Sequence, residues 1–153
     1  LQVVLAKFIG SYLFFLIAFL TTLLYPFIVK QYAHEAVAID IGSVFSLGLG
    51  VSLFGSFLTA MGCFASSLTR SQIVAAVLTF AAGTSLFILG DIADLRPSER
   101  MWWHTTLQHV SMLRHMQDFS TGIIDSRHIV YYVSLTTVFL FATVKSIESR
   151  RWK

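Results

Sequence analysis

The feature that most constrains this chain is a series of long stretches without any charged residue. Crossing the roughly 30 Å hydrocarbon core of a bilayer takes about 20 helical residues, and three uncharged stretches reach that length. A fourth is shorter, but Lys145 can extend its ammonium group to the headgroups. No strand-like alternation appears, and a helix satisfies its own backbone groups in lipid. We therefore predict an all-α, polytopic helical membrane protein with four transmembrane helices, at approximately 8–29, 43–67, 71–90 and 129–146.

Composition excludes an ordinary soluble domain. Of the 153 residues, 56% are hydrophobic and 12% are charged, whereas a soluble domain has about 25% charged residues. The single cysteine, Cys63, lies in an apolar stretch, and we interpret it as a packing residue rather than a reactive thiol. The chain begins at Leu1 and enters an apolar stretch almost at once, so we expect Leu1 to be an interior position of a longer protein.

The distribution of lysine and arginine predicts the orientation. Four spans place both ends on one side, with six basic residues there and five on the other side. Most of the five lie in the long 91–128 connection, which also carries acidic residues and counts less than short connections. The short 67–72 turn and the 148–153 tail are decisive, so both ends are expected in the cytoplasm.

The 91–128 connection combines interfacial and amphipathic signals. Trp102 and Trp103 are typical of a membrane interface, and apolar residues recur at helical spacing after them. We predict short amphipathic or re-entrant helices before the last span, lying on or dipping into the outer leaflet. An ordinary helix pair packed on the spans is the alternative.

Small residues follow a regular pattern in the second predicted span. Their spacing alternates between four and three, which places them on one helical face. Such a face lets helix backbones approach closely in lipid. It is predicted to serve packing within the subunit, with a subunit interface or a path lining as alternatives. The residues of this helix-packing face are Gly48, Ser52, Gly55, Thr59, Gly62 and Ser66.

Polar residues near the predicted span ends offer weaker candidates. Asp91 and Asp94 are interpreted as a solvated helix end rather than a cation site. None of the five histidines has the spacing of a helical zinc site, so interfacial or solvated roles are favoured over an outer metal site. The histidines are His34, His104, His109, His115 and His128.

The sequence contains no nucleotide-binding motif: neither G-x-x-x-x-G-K-[ST] nor G-x-G-x-x-G occurs in a suitable context. The basic excess lies at membrane edges and forms no stripe, which excludes a nucleic-acid partner. We predict no catalytic residue, no resident metal and no cofactor.

Two stretches resemble one family, the type-2 ABC transporter permeases of the gliding-motility kind. The first is 61–80, MGCFASSLTRSQIVAAVLTF, which is similar to the junction of that family's fourth and fifth membrane helices. The second is 119–132, FSTGIIDSRHIVYY, continuing to the C-terminal ESRRWK, which resembles the approach to the sixth helix and the end of the chain. Gly10, following AKFI, is similar to the start of the third helix.

The resemblance implies a transport subunit of the bacterial inner membrane. Two more helices and the main coupling loop would precede Leu1. A second permease subunit, identical or different, and a cytoplasmic ATP-binding subunit would be partners, besides membrane lipid. The 67–72 turn, with Ser67, Arg70 and Gln72, would face that ATPase.

Two other functions stay open. A non-transporting membrane scaffold or assembly protein would use the spans only for docking. A membrane-embedded metalloenzyme would use the outer histidines, although their spacing argues against it.

Overall fold

The structure is a computed structural model, and it describes residues 2–32, 40–95 and 112–151. All regular secondary structure in these ranges is α-helical, which confirms the predicted all-α class for this part of the chain. The helices of the described residues are α1 Gln2–Leu23, α2 Tyr25–Tyr32, α3 Ile41–Leu68, α4 Gln72–Leu95, α5 Met112–Ser120 and α6 Ser126–Arg151.

Three helical stretches in the described ranges are long and apolar enough to cross a membrane. They are Gln2–Tyr32, Ile41–Leu68 and Ser126–Ser149, and they correspond to the first, second and fourth predicted spans. Helix α4 has 24 residues, and among the residues whose side chains the structure describes it counts as a shorter apolar helix, Gln72–Leu86. Length and composition therefore support three of the four predicted spans directly.

The first span differs from its predicted bounds at both ends. Helix α1 begins at Gln2, so Lys7 lies inside the helix instead of marking its start. The helix breaks at Leu24 and resumes as α2, because Pro26 lacks the N–H group that would continue the ladder of backbone hydrogen bonds. The backbone N–H of Ile28 donates to Leu24 O at 3.2 Å, which restores the helical pattern after the break.

The start of α3 is fixed by Asp40. Its carboxylate accepts hydrogen bonds from the backbone N–H groups of Gly42 at 3.0 Å and Ser43 at 3.3 Å, and from the Ser43 hydroxyl at 2.7 Å. These are the N–H groups that a helix leaves without an internal partner. The hydrogen bonds, led by the one from the Ser43 hydroxyl, hold the pKa of Asp40 below its ordinary value.

We expect Asp40→Ala to lower the unfolding midpoint, whereas Asp40→Asn should retain most of the cap because an amide oxygen also accepts hydrogen bonds. A lowered pKa in the folded state means that the carboxylate stabilises the fold above its ordinary pKa, and that this stabilisation is lost as pH falls through the lowered value. The difference in thermal unfolding midpoint between the native protein and Asp40→Asn should therefore be larger at pH 7 than at pH 3. An equal difference at both pH values would contradict this prediction.

Helix α3 is the centre of the bundle, and contacts along it give the direction of its neighbours. Lys7, Phe15 and Leu23 of α1 meet α3 at successively earlier positions, namely Ser66, Gly55 and Gly48. The two helices are therefore antiparallel. In the same way, Leu58 lies opposite Gly83 and Gly62 lies opposite Thr79, so α3 and α4 are antiparallel.

Among the described helices, α3 and α6 share the most extensive interface, and they run in the same direction. The hydroxyls of Ser56 and Thr136 lie 3.3 Å apart. Edge-to-face ring contacts join Phe57 and Phe64 to Phe139, each with centroids 5.7 Å apart. Aromatic pairs of this geometry add to the stabilisation that burial provides.

The buried core lies where α5 enters the bundle. Its fully buried or nearly fully buried members come from α3, α5 and α6, and partly buried residues of α4 pack against them. Helix α5 is thus held among three longer helices instead of standing apart from them. The core residues are Phe57, Met61, Met112, Phe119 and Tyr132.

Large apolar side chains also cover the outside of the bundle. The exposed fraction is 76% for Phe14, 75% for Phe80 and 66% for Val130. Such surfaces are costly in water but suit hydrocarbon or a partner helix. This pattern agrees with a multi-pass membrane protein.

Candidate functional site

Two residues of the predicted helix-packing face lie against α1. A Cβ atom placed on Gly48 would be 3.4 Å from both methyl groups of Leu23, and one placed on Gly55 would overlap the ring of Phe15. Small residues at these positions permit the close approach of α1 and α3. Ser52, between them, is half-buried, and its hydroxyl donates to Leu49 O at 2.8 Å.

The other three residues of that face, Thr59, Gly62 and Ser66, open onto a cleft between α1, α3 and α4. The cleft has a volume of about 770 Å³, within the range of about 300–1,000 Å³ that is usual for ligand sites. Its walls are formed by Lys7 and Ser11 of α1, by side chains in 54–66 of α3 and by side chains in 72–84 of α4. One helical face therefore packs at one end and borders an open space at the other.

The polar end of this cleft is organised by Lys7. Its ammonium group donates to Ser66 Oγ at 2.9 Å. Lys7 and Ser66 also border a smaller cavity of about 360 Å³ on their other side, towards Thr143. Cys63 borders both cavities, although its side chain is buried. The Lys7–Ser66 hydrogen bond is thus a polar link between α1 and α3, formed by two residues that border both cavities.

The predicted ATPase-facing turn, 67–72, adjoins one end of the cleft. The backbone N–H of Thr69 donates to Ala65 O at 3.2 Å and ends α3, and Gln72 begins α4. Ser67 is half-buried and its hydroxyl donates to Phe64 O, whereas Arg70 and Gln72 are exposed. Gln72 also lines the cleft, so one residue belongs to both features.

A second polar cluster lies at the junction of α5 and α6. His128 Nε2 and Asp118 Oδ2 are 3.0 Å apart, and the rings of His115 and His128 have centroids 4.1 Å apart. The Tyr131 ring lies edge-on to His115 at 5.3 Å. In residues 2–32, 40–95 and 112–151 no group of three His, Cys, Asp or Glu side chains is arranged to hold a metal ion. The cluster fastens α5 to α6.

Several sequence candidates lie outside the described residues. They are His34, His104, His109, Trp102 and Trp103, together with the side chains of Asp91 and Asp94. The alternatives left open for them stay open.

Comparison with protein-family models, with curated proteins and with solved structures finds no match to this chain. We therefore base the functional proposal on the cleft and the 67–72 turn.

Sequence reasoning missed two residues that the structure makes prominent. Lys7 marked only a predicted span boundary, yet it forms the polar end of the cleft. Gly50, which is off the predicted face, lies against Phe119 of α5. A lysine at the sixth position of an otherwise apolar helix was a usable signal for Lys7. Nothing local to Gly50 indicates its distant partner.

Proposed function

We propose that this chain is the C-terminal part of the permease subunit of an ABC transporter in the bacterial inner membrane, with both ends cytoplasmic. The observation that supports it best is the cleft between α1, α3 and α4, which ends at the 67–72 turn. Gln72 lines the cleft and belongs to the turn. A partner that moved this turn would move a wall of the cleft, which is the mechanical connection that a transport subunit without its own nucleotide site requires.

The proposal includes α4 as a fourth span. Helix α4 is about 36 Å long at 1.5 Å per residue. It lies antiparallel to α3, and α3 is long and apolar enough to span a membrane. Gly62 lies against Thr79 and Gly83 against Leu58, about one turn apart on each helix. Its outer side chains, including Ile73 and Phe80, are exposed and apolar. These side chains suit lipid or the second permease subunit.

The proposal also treats α5 as a re-entrant helix in the outer half of the bilayer. Phe119 lies against Gly50, nine residues along α3, or about 14 Å from its start. The hydrocarbon core is only about 30 Å thick, so this contact would lie below the surface. Gly122, with φ of +83°, then brings the chain back beside Ser43, close to the start of α3. That left-handed backbone conformation favours glycine.

Purification from native membranes in mild detergent tests the proposal. We expect an ATP-binding subunit to co-purify near one-to-one with the protein, together with a second permease subunit. A clean preparation without any ATPase would overturn the transporter proposal and favour the scaffold.

Arg70→Glu is expected to reduce recovery of that ATPase by about tenfold, because charges at the edge of an interface govern the encounter of two partners. Arg70 is exposed on the turn, so the substitution should leave the fold unchanged. Arg127→Glu is the matched control, since it makes the same charge reversal at an exposed site near the opposite end of the bundle. Equal recovery from both variants would remove the turn from the proposed interface.

A further inference from the structure

The polar end of the cleft carries a positive charge, that of the Lys7 ammonium group. Lys7 forms its hydrogen bond with the neutral hydroxyl of Ser66, and among the described residues its ammonium group is paired with no carboxylate. The exposed amide side chain of Gln72 borders the same end. An ammonium group beside hydroxyl and amide donors is a suitable site for an anion, because charge-assisted hydrogen bonds are the strongest of their kind.

The rest of the cleft is mainly apolar, although the hydroxyl groups of Ser11, Thr59, Thr79 and Thr84 also line it. The Thr59 hydroxyl donates to Gly55 O at 2.7 Å, and the Thr79 hydroxyl donates to Ala75 O at 2.8 Å. Hydroxyls that bond their own helix in this way are already satisfied. Leu58, Phe80 and Gly83 complete a surface suited to hydrocarbon.

The dimensions of the cleft match one leaflet of a bilayer. The wall formed by α4 extends from Gln72 to Thr84, and the helix rises about 18 Å between these two residues at 1.5 Å per residue. Half of the hydrocarbon core is about 15 Å. A hydrocarbon chain that reached from the headgroup level to the middle of the bilayer would fill this length.

From these three observations we infer that the cleft binds an anionic lipid, drawn from the leaflet in which Lys7 lies. The phosphate would accept hydrogen bonds from Lys7 and Gln72, and one acyl chain would lie along α4. With the orientation predicted from the sequence, this is the cytoplasmic leaflet. In the proposed transporter, this lipid would be the transported substrate. That role rests on the proposed function, whereas the binding of the lipid in the cleft does not.

Photocrosslinking in vesicles tests the inference. The protein purified from native membranes is reconstituted with a phosphatidylglycerol analogue that carries a diazirine in its acyl chain, and adducts are located by peptide mass spectrometry. We expect adducts concentrated in 72–84 of α4 and 54–66 of α3. A phosphatidylcholine analogue, whose headgroup has no net charge, should label these segments several-fold less.

Lys7→Gln should lower labelling by the phosphatidylglycerol analogue about tenfold, since a charge-assisted hydrogen bond is lost. Labelling by the phosphatidylcholine analogue should stay unchanged in that variant. Lys30→Gln is the matched control, because Lys30 is an exposed lysine of α2 that does not border the cleft.

Four results would overturn the inference. The first two are equal labelling of all outward apolar faces and no effect of Lys7→Gln on labelling. The third is competition by inorganic phosphate as strong as competition by unlabelled lipid. The fourth is a protein-to-protein crosslink from Thr79→Cys that places another segment or a second copy in the cleft. Recovery of the ATPase in the same preparation distinguishes the lipid site from the transporter proposal. Lipid adducts in the cleft without an ATPase would support the lipid site and overturn the transporter. An ATPase without adducts would support the permease and overturn an anionic lipid as its substrate.

Discussion

Gly50→Val is expected to destabilise the protein by about 3 kcal/mol, towards the upper end of what overpacking a core costs. A Cβ atom on Gly50 would lie 2.5 Å from Cδ2, 2.7 Å from Cγ and 3.0 Å from Cβ of Phe119. The clash involves the base of that side chain, and Phe119 is fully buried, so the ring cannot swing away. Helix α5 would have to move off α3 instead.

Gly10→Val is the matched control for this prediction. It makes the same change in a helix, with the same intrinsic cost, but no side chain of the described residues lies within 4 Å of a Cβ atom at that position. Unfolding of the purified protein in detergent can be followed by reaction of a thiol dye with Cys63, which is buried. If the two valine variants unfolded at the same temperature, the close packing of α5 on α3 would be wrong.

A double-mutant cycle separates this contact from general helix effects. Phe119→Ala should itself be costly, by about 3–5 kcal/mol. Combined with Gly50→Val, it should cost clearly less than the sum of the two single changes, because the ring that valine strikes is gone. Additive costs would show that the two side chains do not share one space.

The contrast with Gly55 shows that a close contact alone does not set the cost. A Cβ atom on Gly55 would overlap the ring of Phe15, but it meets the far end of the ring. Phe15 is only half-buried, so its ring can rotate into lipid. Gly55 belongs to the predicted helix-packing face and Gly50 does not, yet Gly50 is the more constrained position.

The helices were predictable because each depends on a local property of the chain. About 20 apolar residues in a row can satisfy their backbone only as a helix in lipid, and 43–67 and 129–146 lie within the observed α3 and α6. The start of α1 was predicted six residues too late. A charged residue was assumed to end the span there, but the long side chain of Lys7 reaches the Ser66 hydroxyl from inside the helix.

The arrangement of helices around α3 could not be predicted, since it depends on pairs of residues far apart in sequence. Helical spacing placed Gly55 and Gly62 on one face, but it could not indicate that Gly55 meets α1 while Gly62 meets α4. The Asp118–His128 pair is separated by a turn of non-helical residues, so no helical period relates the two side chains. The cleft, which three helices form together, has no signature in any one of them.

Two substitutions of Tyr132 should change the free energy of unfolding very differently. Its side chain is fully buried in the core and its ring lies 6.3 Å edge-on from Phe54. Removing the ring with Tyr132→Ala is expected to cost about 3–5 kcal/mol, because it leaves a cavity among α3, α5 and α6. This loss should appear as a large fall in the unfolding midpoint, with earlier exposure of Cys63 to the thiol dye.

Tyr132→Phe should be neutral or stabilising by about 1 kcal/mol. The Tyr132 hydroxyl is buried and has no hydrogen-bond partner among the described residues. Removing a buried, unsatisfied polar group removes its desolvation cost while the ring contacts remain. The comparison of Tyr132→Phe with Tyr132→Ala therefore separates the hydroxyl from the ring in one assay. A fall in the unfolding midpoint of Tyr132→Phe comparable to that of Tyr132→Ala would mean that the hydroxyl is bonded in the working protein, and that α5 and α6 meet around Tyr132 differently from the packing described above.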